Sequence, residues 1–545
     1  MRSSGRWTQR SRPWRPTRRR WVPRRSASDP VSDPVPAGVA DLVAAVDRAA
    51  QLWPNRPAWT FDPGESLTFA DVGRRSAALA AALAAQGIAA GARVAVMLPN
   101  RAEFPLTWIA LARLGAAMVP LNPQYRAQDA GHILAHSHAA AVITSGDLVD
   151  HVHDVLTRAG IDVPVLDVKQ ISVVEEDPPA HRVAAEDTVN IQYTSGTTGR
   201  PKGCVLSHRY WMELGGSLVD EFPHLGPDDT MLTAQAFSYI DPQWNVVAAI
   251  LAGAHLVVLD AFHPSTFWAT VREHEVTYFY CLAAMPSLLL KMPPDPLDRA
   301  HRVRVVQCSA IPSARHAELE QRWGVKWFEA FGMTETGADL RVTDVDHDLL
   351  VGSGCVGAAT RAKEARIVDG QDVPVPRGET GELVLRGPGL MDRYEEDPEA
   401  TAGAFRGGWF HTGDLARMDD EGRVYLVGRL KDMIRRAGEN VSAREVEDVL
   451  LTHPAIHLAA VVSVPDELRG EEVKAFVSTP GDTGTDEAFV TELAEFCGQH
   501  LARFKVPRYW EVRADLPVTA SHRVAKADLV PAPGRTWDRV DGVWR

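Results

Sequence analysis

Apolar and polar positions alternate along this chain with two different periods, and the periods change place many times. Asp41 to Leu52 carries apolar residues at helical spacing, and Ala77 to Gln86 is an alanine-rich stretch that stops at Gly87. Arg93 to Leu98 is a short, nearly continuous apolar run of the kind found in a buried strand. A helical pattern follows over Phe104 to Leu114, then a strand-like one over Ala117 to Leu121. The same rhythm returns at Ala141–Thr144, Leu256–Leu259 and Val303–Cys308. Strands that read as apolar runs with helices between them predict parallel sheets covered on their faces by helices.

Beyond about Gly428 the texture changes. The helix Ala443–Leu451 is expected to start at Ser442, a good N-cap with Glu445 three residues on. Strands are expected at His457–Val464 and Glu472–Thr479, and a helix at Glu487–Leu501. That is a compact α+β unit of ordinary domain size. With 545 residues the chain is too long for one core. It divides into a tail at 1–36, a large unit at 37–429 and a small one at 430–545.

Composition is that of a globular protein, 45% hydrophobic and 24% charged. The net charge of −13 is uneven: residues 1–28 hold ten arginines and no acid, so the rest carries −23. An acidic body argues against a nucleic-acid partner, since phosphate contacts need a basic face. The arginine-rich tail has the composition of a transit peptide but no apolar signal core; it reads as a disordered tail, or as translation from an upstream start. The five scattered cysteines form no Cys-x-x-Cys pair, as expected in a reducing cytoplasm without structural zinc. No apolar run reaches membrane-spanning length. Only nine of the basic residues are lysine, so a lysine within a motif is informative.

One such lysine closes the stretch Tyr193-Thr194-Ser195-Gly196-Thr197-Thr198-Gly199-Arg200-Pro201-Lys202-Gly203. Apolar strands flank it, Val189 and Ile191 before, Val205 and Leu206 after. Hydroxyls and glycines between two strands can wrap a polyphosphate with backbone N–H groups, and Lys202 adds a point charge. Gly203 after the lysine excludes a P-loop NTPase, which needs Ser or Thr there.

This stretch resembles the phosphate-binding signature of the adenylate-forming superfamily: acyl-CoA synthetases, peptide-synthetase adenylation domains and luciferases. The resemblance runs over about residues 40–530 and is nearest to the carnitine/crotonobetaine-CoA ligase type. It implies a β-barrel-like subdomain in the large unit and a mobile small unit. Thr194 to Gly199 and Lys202 would hold ATP phosphates. Ser309, Ala310, Phe331, Gly332 and Met333 would bind ATP or AMP, with Phe331 stacked on the adenine. Thr334 would contact the α-phosphate and Glu335 would hold Mg²⁺. Asp414, in Trp409-Phe-His-Thr-Gly-Asp414, would bind the ribose with Arg429. Lys431 sits at the hinge position, and Arg435 and Gly438 belong to the loop lining the thiol channel. Gly387-Pro-Gly389 and Pro398-Glu-Ala-Thr401 also match.

Two stretches depart from the family. Where a catalytic lysine is expected after a Ser/Asn-Gly pair, the chain reads Ser521-His522-Arg523-Val524-Ala525-Lys526. Arg523 stands at the lysine position and keeps the charge in a planar fork; Lys526 is the fallback. On the acid side, Tyr239 replaces a histidine, and Asp241, Gln243 and Trp244 enter a helix bordering the acyl pocket. Asp241, lying before Pro242, is expected to cap that helix. The competing reading has its carboxylate and a Trp244 wall recognise a cationic substrate.

Taken together, the resemblance implies an ATP- and Mg²⁺-dependent, AMP-forming acid–thiol ligase that passes a small-molecule acid to coenzyme A. It would be cytoplasmic, monomeric or homodimeric, with no nucleic-acid partner. The alternative acceptors are a carrier protein, an amine or, in a diazotase-like reaction, nitrite. A nucleotide-binding pseudoenzyme is the third reading.

Overall fold

The computed structural model describes residues 39–171, 181–194, 201–282, 285–436, 439–466, 469–479, 487–519, 524–529 and 535–545, with backbone only at 431, 440, 470 and 527. The described strands form three sheets. In the first, Pro57–Asp62, His255–Leu259, Thr230–Thr233, Tyr278–Leu282, Val305–Ser309 and Trp327–Met333 run parallel. From Gly337–Arg341 onward the same sheet continues antiparallel through Cys355–Ala359, Val424–Arg429, Phe410–Met418, Thr380–Arg386 and Glu364–Val368. This antiparallel stretch stands where a barrel-like piece was expected; its strand order runs out at Glu364–Val368, so it is an open extension and no closed barrel forms among the described residues.

The second sheet orders Arg393–Tyr394, Lys202–Ser207, Thr188–Thr194, Ala117–Pro120, Arg93–Val96, Ala141–Thr144 and Val165–Asp167. Helices Leu42–Leu52, Phe69–Ala85, Glu103–Arg113, His208–Asp220 and Ile240–Ala252 share one core with residues of both sheets. Glu103–Arg113 is buried almost all round, from Phe104 to Ala112, which is why its sequence lacks a polar face. Trp108 and Trp211 meet edge to face at 4.9 Å within that core. The helix predicted at Ala77 begins earlier, at Phe69, because Thr68 and Asp71 form a capping box there.

The third sheet is built from Met433–Arg436, Glu439–Ser442, Leu458–Asp466, Gly470–Ser478, Tyr509–Arg513 and two short C-terminal strands. Its helix Ala443–Leu450 starts as predicted: the Ser442 hydroxyl accepts the Glu445 N–H at 3.3 Å. Among the described residues no helix is long and apolar enough to cross a membrane.

One buried latch fixes where the strand Trp327–Met333 begins. The Trp327 N–H donates to Glu320 Oε1 at 2.7 Å, and the Trp327 carbonyl accepts from His316 Nε2 at 2.8 Å. His347 bridges Glu320 at 2.6 Å and Asp348 at 3.0 Å. Burial by itself would lower the His347 pKa, but these two bonds outweigh it and hold it above the ordinary value. Burial raises the Glu320 carboxyl, while bonds to His316, His347 and Trp327 overcome that and bring it to about 2. The His347 contribution to stability is therefore complete below its unfolded pKa of 6.5 and fades as pH rises through the raised folded value. That of Glu320 is complete above 4.5 and fades as pH falls toward about 2. Both act fully between those two unfolded values. His347→Gln should lower the melting temperature most at pH 5–6, and the gap to the native protein should narrow toward pH 9. A gap that stays constant with pH in scanning calorimetry would show that the charge on His347 does not matter.

Candidate active site

The hairpin Thr188–Thr194 and Lys202–Ser207 pairs antiparallel, with Tyr193 opposite Gly203 and Thr194 opposite Lys202. Ser195, Gly196, Thr197, Thr198 and Gly199 lie outside the described residues. Thr194 and Lys202 therefore face each other at the ends of the two strands. The Lys202 ammonium sits 4.9 Å from the centroid of the Tyr394 ring, within cation–π range. Gly203 has a packing reason: a Cβ there would come within 2.9 Å of Ile191 Cγ2 and 3.2 Å of Glu395 Cβ.

Tyr394 also reaches the second charged group. Its hydroxyl donates to Glu335 Oε1 at 3.1 Å. Glu335 sits in the turn between Trp327–Met333 and Gly337–Arg341, and burial pushes its pKa up despite the Tyr394 bond and the nearby Arg429 charge. A buried carboxylate near the Lys202 end of the hairpin has the donor chemistry for a divalent cation, whose charge would offset that desolvation. The turn is clamped from behind. The Met391 N–H donates to the Glu335 carbonyl at 2.7 Å, and Lys363 Nζ to the Thr336 carbonyl at 2.9 Å. At Gly332 a Cβ would lie 2.0 Å from the Gly337 carbonyl oxygen, so the crossing of the two strands excludes any side chain. Phe331 and Met333 are half-buried and Gly332 exposed, and Thr334 is half-buried in the turn.

Ser309 and Ala310 end the neighbouring strand. Ser309 Oγ donates to the Ala330 carbonyl at 2.6 Å and so accepts from the Tyr280 hydroxyl, also at 2.6 Å. Ala310 has φ +72°, and the N–H groups of Ala310 and Ile311 reach the Glu329 carboxylate at 2.6 and 2.9 Å. Burial lifts Glu329 to about 7 against those two bonds. Further along the same sheet, Asp414 and Arg429 are register partners, and Arg429 Nε donates to Asp414 Oδ1 at 2.8 Å.

A cavity of about 70 Å³ opens between helices His208–Asp220 and Ile240–Ala252 and the two strands that flank the Glu335 turn, enough for several water-sized groups. Asp241, Trp244, Tyr280, Phe331 and Leu214 line it, and Trp244 meets Tyr280 edge to face at 5.2 Å. Arg341 also borders it, but donates to the Ser217 carbonyl and hydroxyl at 3.1 and 2.8 Å. The capping reading of Asp241 does not hold. Tyr239 is the N-cap, no side chain caps the helix, and Asp241 lies inside the first turn, where a negative charge suits the helix dipole. Gln243 is not a pocket residue either. It is fully buried, accepts from Asn190 Nδ2 at 2.9 Å, and donates to the Phe237 carbonyl at 2.8 Å and to Gln192 Oε1 at 3.3 Å. It thus ties the hairpin strand to the helix. Tyr239 is half-buried and bonds Asn122 rather than lining the cavity.

The family model of the AMP-binding enzymes matches residues 46–395, and that of the AMP-binding enzyme C-terminal domain matches 445–523. The chain belongs to the AMP-binding enzyme family. A crotonobetaine/carnitine–CoA ligase of Citrobacter koseri is 34% identical over 510 residues, 89% of this chain and 97% of the relative. An o-succinylbenzoate CoA synthetase of Bacillus subtilis, solved with its acyl-adenylate intermediate, superposes with a TM-score of 0.80 at 26% identity, covering 90% of this chain and 98% of that one. The same synthetase solved with ATP and magnesium ion gives a TM-score of 0.78 at 26% identity, covering 89% and 98%. This AMP-binding enzyme is thus an AMP-forming ligase of the acyl-CoA synthetase type.

Its C-terminal candidates fare differently. Arg523 and Gly438 lie outside the described residues, and Lys431 is described in its backbone alone, within a short turn at Leu430–Asp432. Arg435 is exposed, and its N–H donates to Glu471 at 2.6 Å. Lys526 is engaged elsewhere than at the Glu335 cluster. Its ammonium pairs with Glu447 at 2.7 Å and with Asp432 at 3.7 Å. In this AMP-binding enzyme the reading of residue types alone missed Tyr394, Glu329, Lys363 and Tyr280. Tyr394 lies on a two-residue strand, too short to leave a period, and the others act only through cross-strand neighbours.

Proposed function

We propose that this enzyme uses ATP to activate a small carboxylic acid and hands the acyl group to coenzyme A. The observation that carries the reading is the Lys202–Tyr394–Glu335 arrangement, a cation and a buried carboxylate on two sides of one tyrosine at the mouth of the hairpin. In the first half-reaction an oxygen of the acid forms a bond to the α-phosphorus, the α–β anhydride bond breaks, and pyrophosphate leaves. Lys202 stabilises charge on the phosphate oxygens, Asp414 and Arg429 orient the ribose, and Phe331 supports the base. Magnesium held at Glu335 would neutralise phosphate charge when bound. In the second, the thiol sulfur bonds to the acyl carbon, its proton passes to solvent, and the carbon–oxygen bond to AMP breaks. The small unit from about residue 430 would turn about Lys431 between the two steps, bringing the Arg435–Gly438 loop to the thiol path. A panel of carboxylic acids assayed for pyrophosphate release, with and without coenzyme A, tests this. Absence of any acid-dependent release would end it.

The acid itself we take to carry a cationic group. Asp241 supplies a carboxylate and Trp244 and Tyr280 supply aromatic walls to one cavity, which is how a desolvated ammonium is recognised. The Citrobacter koseri relative is named for crotonobetaine and carnitine. Asp241→Asn should raise KM for such an acid roughly tenfold while leaving KM for its uncharged isostere unchanged. Equal KM values for charged and neutral acids in the native enzyme would refute the assignment.

A further inference from the structure

Helix Ala127–His136 presents two histidines, His132 and His136, one turn apart on one face, with ring centroids 5.4 Å apart. His132 Nε2 lies 3.1 Å from the Pro201 carbonyl; a carbonyl only accepts, so this nitrogen carries a hydrogen and donates. His136 Nδ1 lies 2.8 Å from the Tyr193 hydroxyl. The Tyr193 ring stands nearly perpendicular to both imidazoles, at 6.4 and 5.8 Å. Tyr193 and Pro201 sit next to Thr194 and Lys202, the register partners that end the two strands of the hairpin. One helix thus grips both strands at their mouth.

The helix is a firm base for such a grip. Ala130, Ile133 and Leu134 are buried beneath it. A Cβ at Gly131 would lie 2.9 Å from Ala159 Cβ, so the helix packs closely on its neighbour Val149–Ala159. No element of the adenylation chemistry needs either histidine, and neither is in the candidate cluster of charges.

We propose that His132 and His136 are positioning residues for the nucleotide phosphates: by holding Pro201 and Tyr193 they anchor the mouth of the hairpin to the helix and hence fix the place of the Lys202 ammonium beside Tyr394. This rests on the hairpin being the phosphate site. Its effect falls on ATP and not on the acid, whose cavity lies between other helices.

The test measures KM for ATP, KM for the acid and the melting temperature in the full-length enzyme, with ATP affinity from titration calorimetry as a readout independent of turnover. His132→Phe keeps an aromatic ring without the donor, and Tyr193→Phe removes the hydroxyl bonded by His136. Each should weaken ATP binding roughly three- to tenfold and leave KM for the acid within twofold. His132→Gln, which keeps an N–H donor, should restore most of the loss. His136→Phe should match Tyr193→Phe, and the double variant should be no worse than either, because both remove one bond. Unchanged ATP affinity in His132→Phe and Tyr193→Phe would overturn the proposal. So would a parallel loss for ATP and acid with a lowered melting temperature, which marks a purely structural role. If native enzyme binds ATP yet releases pyrophosphate with no acid, the proposed function fails while the calorimetry still decides the role of the histidines.

Discussion

Glu335→Gln is expected to slow acid-dependent pyrophosphate release roughly 10²- to 10³-fold, the loss seen when one preorganised charge-stabilising group is taken from a transition state. The buried carboxylate is held by the Tyr394 hydroxyl and by a turn whose carbonyls are clamped by Met391 and Lys363, so its place is set before nucleotide arrives. The glutamine keeps the shape and the hydrogen bond and deletes only the charge. Tyr394→Phe makes a useful companion, because it keeps the ring beside Lys202 and frees one carboxylate oxygen; it should cost no more than about tenfold. Raising magnesium should recover part of the rate in Tyr394→Phe and little in Glu335→Gln. The check is steady-state pyrophosphate release at several magnesium concentrations. Near-native rates in Glu335→Gln would remove this carboxylate from the chemistry.

Arg523→Ala should give the other large effect, a comparable loss of adenylation, with Lys526→Ala close to native in rate. The spacing of Arg523 from Leu516, Pro517 and Thr519 places it where the family carries a lysine, and a guanidinium can grip phosphate and carboxylate in one fork. The position of Lys526 strengthens the contrast. Its ammonium serves Glu447, a half-buried carboxyl whose pKa desolvation raises and whose first counter-charge is this lysine. Lys526→Ala should therefore lower the stability by about 1 kcal/mol, the ordinary worth of a hydrogen bond to a half-buried group, while adenylation at 25 °C persists. Single-turnover formation of the acyl-adenylate, together with thermal unfolding of both variants, separates the two roles. Loss of adenylation in Lys526→Ala with native rates in Arg523→Ala would reverse the assignment.

Much of this molecule was legible in the order of its residues. The alternation of apolar runs with amphipathic stretches marks the parallel sheets and their helices, because a strand buried on both faces has to be apolar throughout and a covering helix has to be apolar on one. Ser442 and Glu445 announce a helix start because capping is a contact three residues long. The stretches that carry Lys202, Glu335 and Asp414 were likewise readable as family motifs, each being a local run of residues whose chemistry travels with its spacing.

Contacts between distant segments were not readable, since no period or short spacing encodes them. Asp241 before Pro242 has the look of a cap, yet the helix begins at Ile240, two residues earlier than a cap at 241 would need, and Asp241 lines the cavity instead. Gln243 has the residue type of a substrate contact, but Asn190 and Gln192 from a strand some fifty residues earlier take up its amide. Tyr394 joins Lys202 to Glu335 because a two-residue strand adds itself to the edge of the hairpin, a pairing that spans 190 residues of chain. Local order in the chain thus settles which groups the enzyme owns, because propensity, capping and hydrophobic period act over a few residues. Which of those groups face one another is decided only when the sheets pack, since burial and hydrogen-bond satisfaction are summed over neighbours that the chain brings together from afar.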